Sequence, residues 1–479
     1  MKSKTERKMD SSNMQQCKII NKAIILVFSL TAIAACAPLN TTLPETDIPT
    51  NWQGPISSEA AVWPEIDWWV QFGSDELIGL VENVEESNLD LAINKNNLRN
   101  AQLSMIDAGF DLWPTPSLTI GNTSSMLGIG SSDTTINHHY SLNGSLRYTG
   151  ILSKYSDHQL ALSNYDSAQA SAANTVLNTL GTAANTYFQL LFIRDQIKTA
   201  EQNLESAQTI ERITQSKVDA GVTAPVEALQ QKIAVQERLN IIENLKQSEL
   251  SSKSSLALLL GRSVQNFDLE AMTLADIIVP KVQPGIPSEL LLRRPDLVEA
   301  EADLRSAKAN VDLARLAFLP SISLTASSGT SDSSLIQLLQ NPNPISLVAN
   351  LVQTIFDNGA RARNEERSRL VLENRLLNYR KAVLRAFNDV DVALGNIKLL
   401  DSQAKTAKDD LARATEAFRI SEVQYREGVR NFQTLLNTQQ TLYAVRDSYL
   451  RNKLSRLNAM VAFYQTLGGG WEKEMLQEQ

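Results

Sequence analysis

From Leu372 to Tyr425 one set of positions recurs at alternating spacings of four and three. It reads Leu372, Leu376, Tyr379, Val383, Ala386, Val390, Ala393, Ile397, Leu400, Ala404, Ala407, Leu411, Ala414, Phe418, Ser421 and Tyr425. Only Ser421 is neither apolar nor aromatic, and no proline interrupts the run. A 3.5-residue repeat sustained over so many heptads is a coiled-coil seam, and its many alanines permit close helix approach. The pattern predicts a helix from about 359 to 427, roughly 100 Å long at 1.5 Å per residue. Globular domains rarely use helices of that length. Gly428 supplies the left-handed residue that ends it. A second helix is expected from about Asn431 to Leu467, stopped by Gly468-Gly469-Gly470.

The same plan occurs earlier in the chain. A helical pattern runs from about Leu152 to Ala220, breaks at Gly221-Val222-Thr223-Ala224-Pro225, and resumes to Leu260 before Gly261. Gly221 and Gly428 lie 207 residues apart, and Asp107–Thr119 aligns with Leu313–Thr325 at an offset of 206. A fixed internal period means two copies of one unit of about 200 residues. Each reads helix, two strands, long helix, tip, helix. The expected organisation is a first repeat at 73–262, a connector at 263–288, a second repeat at 289–467 and a tail at 468–479.

After Pro114 and Pro320 the hydrophobic period changes from 3.6 to 2. Tyr140, Leu142, Leu146 and Tyr148 share one face, and His139, Ser141, Asn143, Ser145 and Arg147 the other. Ile322, Leu324 and Ala326 alternate with Ser321, Ser323, Thr325 and Ser327. Leu118, Ile120 and Met126 oppose Thr115, Ser117, Thr119 and Gly121, and a fourth strand is expected at about 345–356. An apolar face ending in tyrosines, backed by a polar face, suits a porin-type strand. The same alternation also fits a half-buried soluble sheet. In lipid, four strands leave open edges with unpaired backbone groups, so several chains must pool them. Three copies give a 12-stranded barrel, whereas two give eight strands and an interior filled by side chains. A conduit therefore calls for three. Residues 128–137 and 328–344 become the outward loops.

The N-terminus addresses the chain. Residues 1–35 carry six basic and two acidic side chains, and an apolar run of 13 residues spans Ala23 to Ala35. That run suits a signal peptide and is short for a membrane helix, which needs about 20. Ile33-Ala34-Ala35-Cys36 resembles a bacterial lipobox, which makes Cys36 the diacylglycerol-bearing residue of the mature chain. Ala37, rather than Asp, after it favours the outer membrane by the same resemblance. Met14 is a second candidate start. Residues 36–72 then form a lipidated tether and N-terminal segment, and 37–60 are rich in Pro, Thr, Ser and Asn. Cys17 leaves with the signal, so no thiol remains for a disulfide.

Composition argues against other classes. The chain has 45 Lys plus Arg and 53 Asp plus Glu, and after removal of residues 1–35 the balance falls from −8 to −12. Such a chain repels phosphate backbones, so no nucleic-acid partner is expected. Three histidines and two cysteines are too few for a His-based zinc site or a triad, and no P-loop, GxGxxG or HExxH is present. The five mature methionines, at 105, 126, 272, 460 and 475, form no cluster for copper. The reading is a non-enzyme without cofactor or metal.

Several local patterns now share one order along the chain. They are Pro287-Ser288-Glu289-Leu290-Leu291-Leu292-Arg293-Arg294-Pro295-Asp296-Leu297, Leu319-Pro320, Ile355-Phe356-Asp357-Asn358-Gly359, Tyr425-Arg426-Glu427-Gly428-Val429 and Leu467-Gly468-Gly469-Gly470-Trp471. With the lipobox and the repeat, the chain resembles the TolC-like outer-membrane efflux factors of the lipoprotein (NodT/OprM-type) branch. The resemblance implies a homotrimer whose strands share one outer-membrane β-barrel and whose helices form an α-barrel across the periplasm. It also implies a periplasmic adaptor and an inner-membrane pump of RND or ABC type as partners, for export of small molecules. A duct for secreted polypeptides has the same fold, and a lipid-anchored periplasmic adaptor or a structural envelope spacer is the reading from another class. Two matching hairpins argue against an adaptor, which has one.

By the resemblance, Gly221 and Gly428 sit at periplasmic tips facing the adaptor. Just past the second tip the family places an apolar residue, an Asp and an Arg as a closing ring. The matching positions here are Gln433, Asn437 and Gln440, which depart from the pattern at all three. Their spacing puts them on one helix face. Amides there close a pore by hydrogen bonds, each net roughly 0.5–1.5 kcal/mol. Arg293, Arg294, Pro295 and Asp296 read as helix-start chemistry, with Pro in the first turn and Asp at the positive end of the dipole. Trp52, Trp63, Trp68, Trp69 and Trp471 are expected to pack the termini onto the helices.

Overall fold

In the computed structural model the described residues are 66–127, 135–270, 273–281, 293–333 and 344–469. The signal, Cys36, Trp52, Trp63, Trp471 and residues 287–292 lie outside them. Among the described residues seven α-helices and four strands follow the chain: α1 (Asp75–Ser87), α2 (Leu89–Phe110), β1 (Thr115–Leu127), β2 (Thr135–Thr149), α3 (Lys154–Asp219), α4 (Pro225–Leu259), α5 (Pro295–Leu316), β3 (Ser321–Asp332), β4 (Ile345–Val352), α6 (Ala360–Arg426) and α7 (Phe432–Thr466). The two hairpins and the four strands stand where the periodicity put them. Helices α3 and α6 have 66 and 67 residues. None of the 16 seam positions of α6 is exposed. Ser421, the polar member, is buried because its hydroxyl donates to the Phe418 carbonyl at 2.9 Å and meets the Thr438 hydroxyl. No helix among the described residues is long and apolar enough to cross a membrane.

The chain divides into two compact units. One comprises Arg99–Ala168 and Ala300–Arg380; the other comprises 66–98, Gln169–Glu299 and the chain from Lys381 onward.

The first unit carries the sheet, antiparallel in the order β1-β2-β3-β4. The register runs Thr115↔Arg147 to Leu127↔Thr135, then Tyr140↔Asp332 to Thr149↔Ser323, then Ser321↔Val352 to Ser328↔Ile345. The strands differ from the sequence expectation at their far ends. Residues 135–137 and 328–332, expected in loops, belong to β2 and β3, because short polar stretches such as Ser328–Asp332 read alike as ladder and as turn. β4 stops at Val352, where Gln353 turns its amide to the Phe318 carbonyl at 3.2 Å. The helical part of this unit packs Leu304, Ala307 and Val311 of α5 on Leu372 of α6. Around that core Arg305 pairs with Asp166 at 2.8 Å, Arg375 with Asp303 at 2.8 Å and Arg315 with Glu365 at 3.2 Å.

The second unit is built around an aromatic knot. A 3-10 helix, Trp68–Phe72, buries Trp68, Trp69 and Phe72, and Gly73 (φ 67°) ends it. Trp68 stacks on Tyr464 of α7 with ring centres 5.2 Å apart, and Phe72 meets Phe188 of α3 at 5.1 Å. The Tyr464 hydroxyl donates to Gln71 Oε1 at 2.7 Å. Ser74 then caps α1 by accepting from the Leu77 amide at 3.2 Å, and Leu77, Leu80, Val81 and Val84 form its buried stripe.

The connector is held by charges. Arg194 pairs with Glu249 at 3.0 Å and Asp268 at 3.1 Å, and Asp195 accepts from the Leu274 amide at 2.8 Å. Arg294 is nearly buried. It donates twice to Asp296, at 2.9 and 2.8 Å, and also to Asp389 and the Thr466 carbonyl, each at 3.3 Å. The helix-start reading of 293–296 therefore gains a tertiary term: Arg294 ties α5, α6 and the end of α7 together. The expectation holds for Trp68, which stacks on Tyr464 of α7, and Trp69 is buried beside it.

Trp68→Ala removes a fully buried indole and is expected to cost about 3–5 kcal/mol. The check is limited proteolysis, with new cleavage N-terminal to α1. A second outcome concerns alkaline pH. Burial raises the Tyr187 phenol from 10.0 to about 12, against a bond that the Ser74 hydroxyl donates to its oxygen. Because the folded-state value is the higher one, its contribution is complete below pH 10.0 and lost towards about pH 12. Helical circular dichroism against pH is expected to show Tyr187→Phe flattening the loss of stability in that window.

Candidate functional site

The two helical tips have one local design. At the end of α3 the Gly221 amide donates to the Val218 carbonyl at 2.9 Å and the Val222 amide to Lys217 at 2.8 Å. At the end of α6 the Gly428 amide donates to Tyr425 at 3.1 Å and the Val429 amide to Gln424 at 2.8 Å. Both are Schellman closures, which require a left-handed residue. Gly221 has φ +70° and Gly428 φ +77°, and a Cβ at either would meet nothing within 4 Å. The requirement is conformational, not steric. Each glycine is followed by an apolar residue left in the open, Val222 at 71% and Val429 at 71% exposure.

The return helices start differently. α4 begins on Pro225 after Ala224, whereas α7 is capped by Asn431, whose Oδ1 accepts the Thr434 amide at 3.0 Å and hydroxyl at 2.8 Å. On α7 the residues Phe432, Leu435 and Leu442 face inward, while Gln433, Asn437 and Gln440 are exposed. The Gln433 amide donates to Asn437 Oδ1 at 2.9 Å. Gln440 shares their face one turn further on. The geometry therefore offers an uncharged amide surface just inside the tip.

Beneath it is a cluster that sequence reading missed. Ile210, Tyr425, Phe432 and Leu435 form a buried core. The Tyr425 hydroxyl lies 3.4 Å from both the Thr214 hydroxyl and the Glu227 carboxylate. Burial, reinforced by that carboxylate, raises the Tyr425 phenol above its ordinary range. Lys217 donates to the Tyr425 carbonyl at 2.5 Å, with its ammonium 4.3 Å from the ring centre. Further along, Arg446 donates to Asn203 at 2.7 Å and Gln196 to Asp447 at 2.6 Å. These bonds tie the first hairpin to the second. The available signal was a tyrosine, rather than an aliphatic, at the last seam position, and a lysine in the last turn of α3.

The sheet forms the other candidate region. Register places Leu118, Ile120, Leu146, Leu324, Leu347 and Leu351 on one face, all exposed by 41% or more. The opposite face carries the row Ser117–Ser145–Ser327–Ser346, with the first two hydroxyls 2.7 Å apart. Trp113, Phe110 and Phe356 stand 72–81% exposed beside the strand ends. An apolar outer face with aromatics at its margin suits lipid, and the outer strands β1 and β4 each have an open edge within the chain.

These features define an outer-membrane channel protein, an exit duct built from strands and paired helices. The chain belongs to the outer membrane efflux protein family, whose model matches residues 80–262 and 286–469. It is 31% identical over 462 residues to the pyoverdine export outer membrane protein OpmQ of Pseudomonas putida, covering 94% of this chain and 97% of that one. It is 27% identical to the probable efflux pump outer membrane protein TtgC of the same species, covering 90% and 92%. Among solved structures, the CmeC outer membrane channel of Campylobacter jejuni superposes with a TM-score of 0.82 at 21% identity, covering 92% and 97%.

Loss of the Lys217 ammonium removes one charge-assisted bond from the tie between hairpins. Lys217→Met is expected to weaken it by about 1 kcal/mol, read as roughly fivefold faster amide hydrogen exchange around Tyr425 in the purified protein, and Lys217→Arg is expected to retain most of the protection.

Proposed function

We propose that three copies of this chain pool their strands into one 12-stranded barrel and pass small molecules through it without catalysis. The observation that carries this is the sheet itself: one face apolar and exposed, the other hydroxyl-lined, with an open edge at β1 and another at β4. In lipid both edges need partners, and closure into a barrel supplies them. Helices α3, α4, α6 and α7 continue the conduit into the periplasm. The energy is supplied by an inner-membrane pump, of RND or ABC type, through a periplasmic adaptor. Cys36 carries lipid and assists targeting.

At rest the amides of Gln433, Asn437 and Gln440 narrow the entrance, and the Tyr425 cluster holds the two hairpins of each chain together. Docking of the adaptor at Gly221 and Gly428 loosens that cluster and lets α6 and α7 swing outward. The similarity to OpmQ supports a secreted metabolite of the pyoverdine kind as substrate. Polypeptide export would use the same fold, and no observation here favours it.

The decisive experiment is gel migration of the outer-membrane fraction, unheated and boiled. A heat-modifiable band near three times the 52.9 kDa chain mass is expected. A monomer in both lanes would remove the pooled-barrel reading. Docking is tested separately. Gly428→Arg forces a charged, L-configured residue into the left-handed tip, at a backbone cost of roughly 1–2 kcal/mol. Export in cells is expected to fall at least roughly tenfold, the scale of about 1.4 kcal/mol in docking, while the heat-modifiable band persists.

A further inference from the structure

The hydroxyl-lined face of the sheet has a charge pattern. Its cross-strand rows are Thr149–Ser323–Asn350, Thr115–Arg147–Thr325–Val348, Ser117–Ser145–Ser327–Ser346, Thr119–Asn143–Gly329 and Gly121–Ser141–Ser331. Across these rows there is one formal charge, Arg147, and no carboxylate. Arg147 is exposed, and among the described residues no acid pairs with it. Its cross-strand neighbours, Thr115 and Thr325, are neutral. The acids at the strand–helix junctions are already engaged, Asp111 with Lys154 at 3.5 Å and Asp357 with Arg361 at 2.7 Å.

We propose that Arg147 is a specificity-determining residue: three copies form a cationic ring in the barrel lumen that favours anionic substrates over cationic ones. This rests on the pooled-barrel reading above. Twelve strands about 4.8 Å apart and tilted about 40° enclose a radius of roughly 12 Å. The guanidinium extends inward from that wall on a long side chain, and the Debye length is about 8 Å at physiological salt. The potential of the ring therefore reaches the axis, and a solute crossing the barrel passes through it. Arginine stays charged at any working pH, so the preference is permanent.

The test introduces a thiol beside the ring. In Ser145→Cys the sulfur lies on the same face as Arg147, two residues away along β2. Intact cells are treated from outside with thiosulfonate reagents of matched size, one bearing a sulfonate and one a quaternary ammonium. Each variant's ratio of rates is compared with that of the Ser145→Cys parent, so that intrinsic reagent reactivity divides out. Relative to the parent, adding Arg147→Ser is expected to lower the anionic-to-cationic ratio at least roughly threefold, from the charge and its screening, Arg147→Glu to lower it further, and Arg147→Lys to leave it unchanged. A ratio unmoved by Arg147→Ser and Arg147→Glu, in protein that still runs as a heat-modifiable trimer, overturns the proposal alone. Absence of that trimer in the parent protein overturns the pooled-barrel reading and this proposal together. A thiol at position 145 that is inert to both reagents while the trimer forms places the polar face away from the lumen and overturns the proposal.

Discussion

Burial of the α6 seam is the contact on which the other features depend. A helix of 67 residues has no stability of its own that would keep it helical in water throughout. It persists because a continuous stripe, four-three-four-three, is covered from Leu372 to Tyr425. The one break in its apolar character, Ser421, is satisfied by Phe418 and Thr438. Alanine at 386, 393, 404, 407 and 414 lets the neighbouring backbone come close, which favours packing over bulk. A lone proline anywhere in this stripe would have cost about 3 kcal/mol and a kink.

The ends of the hairpins follow a different logic. A Schellman turn satisfies the last carbonyls with the chain's own amides, so a tip needs only glycine in the left-handed position. Val222 and Val429 are then left open beyond the turn. Within the tip, modest bonds join the two hairpins. The Tyr425 hydroxyl sits at 3.4 Å from Thr214 and from Glu227, and Lys217 supplies a shorter contact. The aromatic knot around Trp68, by contrast, is fully buried and the Arg294 guanidinium nearly so, and both fix the body of the same unit.

The sheet exposes more apolar surface than a soluble protein tolerates. Ile345, Leu347 and Leu351 of β4 stand 57–83% exposed on one face, and Ile355 beyond the strand is 95% exposed. Contiguous surface of this kind marks a membrane or a partner. The opposite face is hydroxyl-rich and nearly uncharged, so water can fill it while little discriminates among solutes. Against that background a single arginine flanked by threonines has an influence that it would lose among many charges.

Much of this was legible before any coordinates. Spacing alone marks the seam, because a 3.5-residue repeat has one geometric solution. Gly221 and Gly428 mark the tips because only a left-handed residue closes a helix in that way. Alternation after Pro114 and Pro320 marks the strands, though not their far ends, where serine and threonine at 328–332 are as compatible with a loop as with a ladder. The buried role of Arg294 was not legible. Its partners Asp389 and Thr466 are 95 and 172 residues away, and local reading sees only Pro295 and Asp296. The same holds for the Tyr425 cluster: Thr214, Lys217 and Glu227 come from the other repeat, 211, 208 and 198 residues earlier. The sequence by itself determined which segments are rods and strands, since periodicity and backbone conformation are local. Which charge meets which, and which serines align into one row beside Arg147, only the tertiary structure decided, because register and packing join residues that the chain keeps far apart.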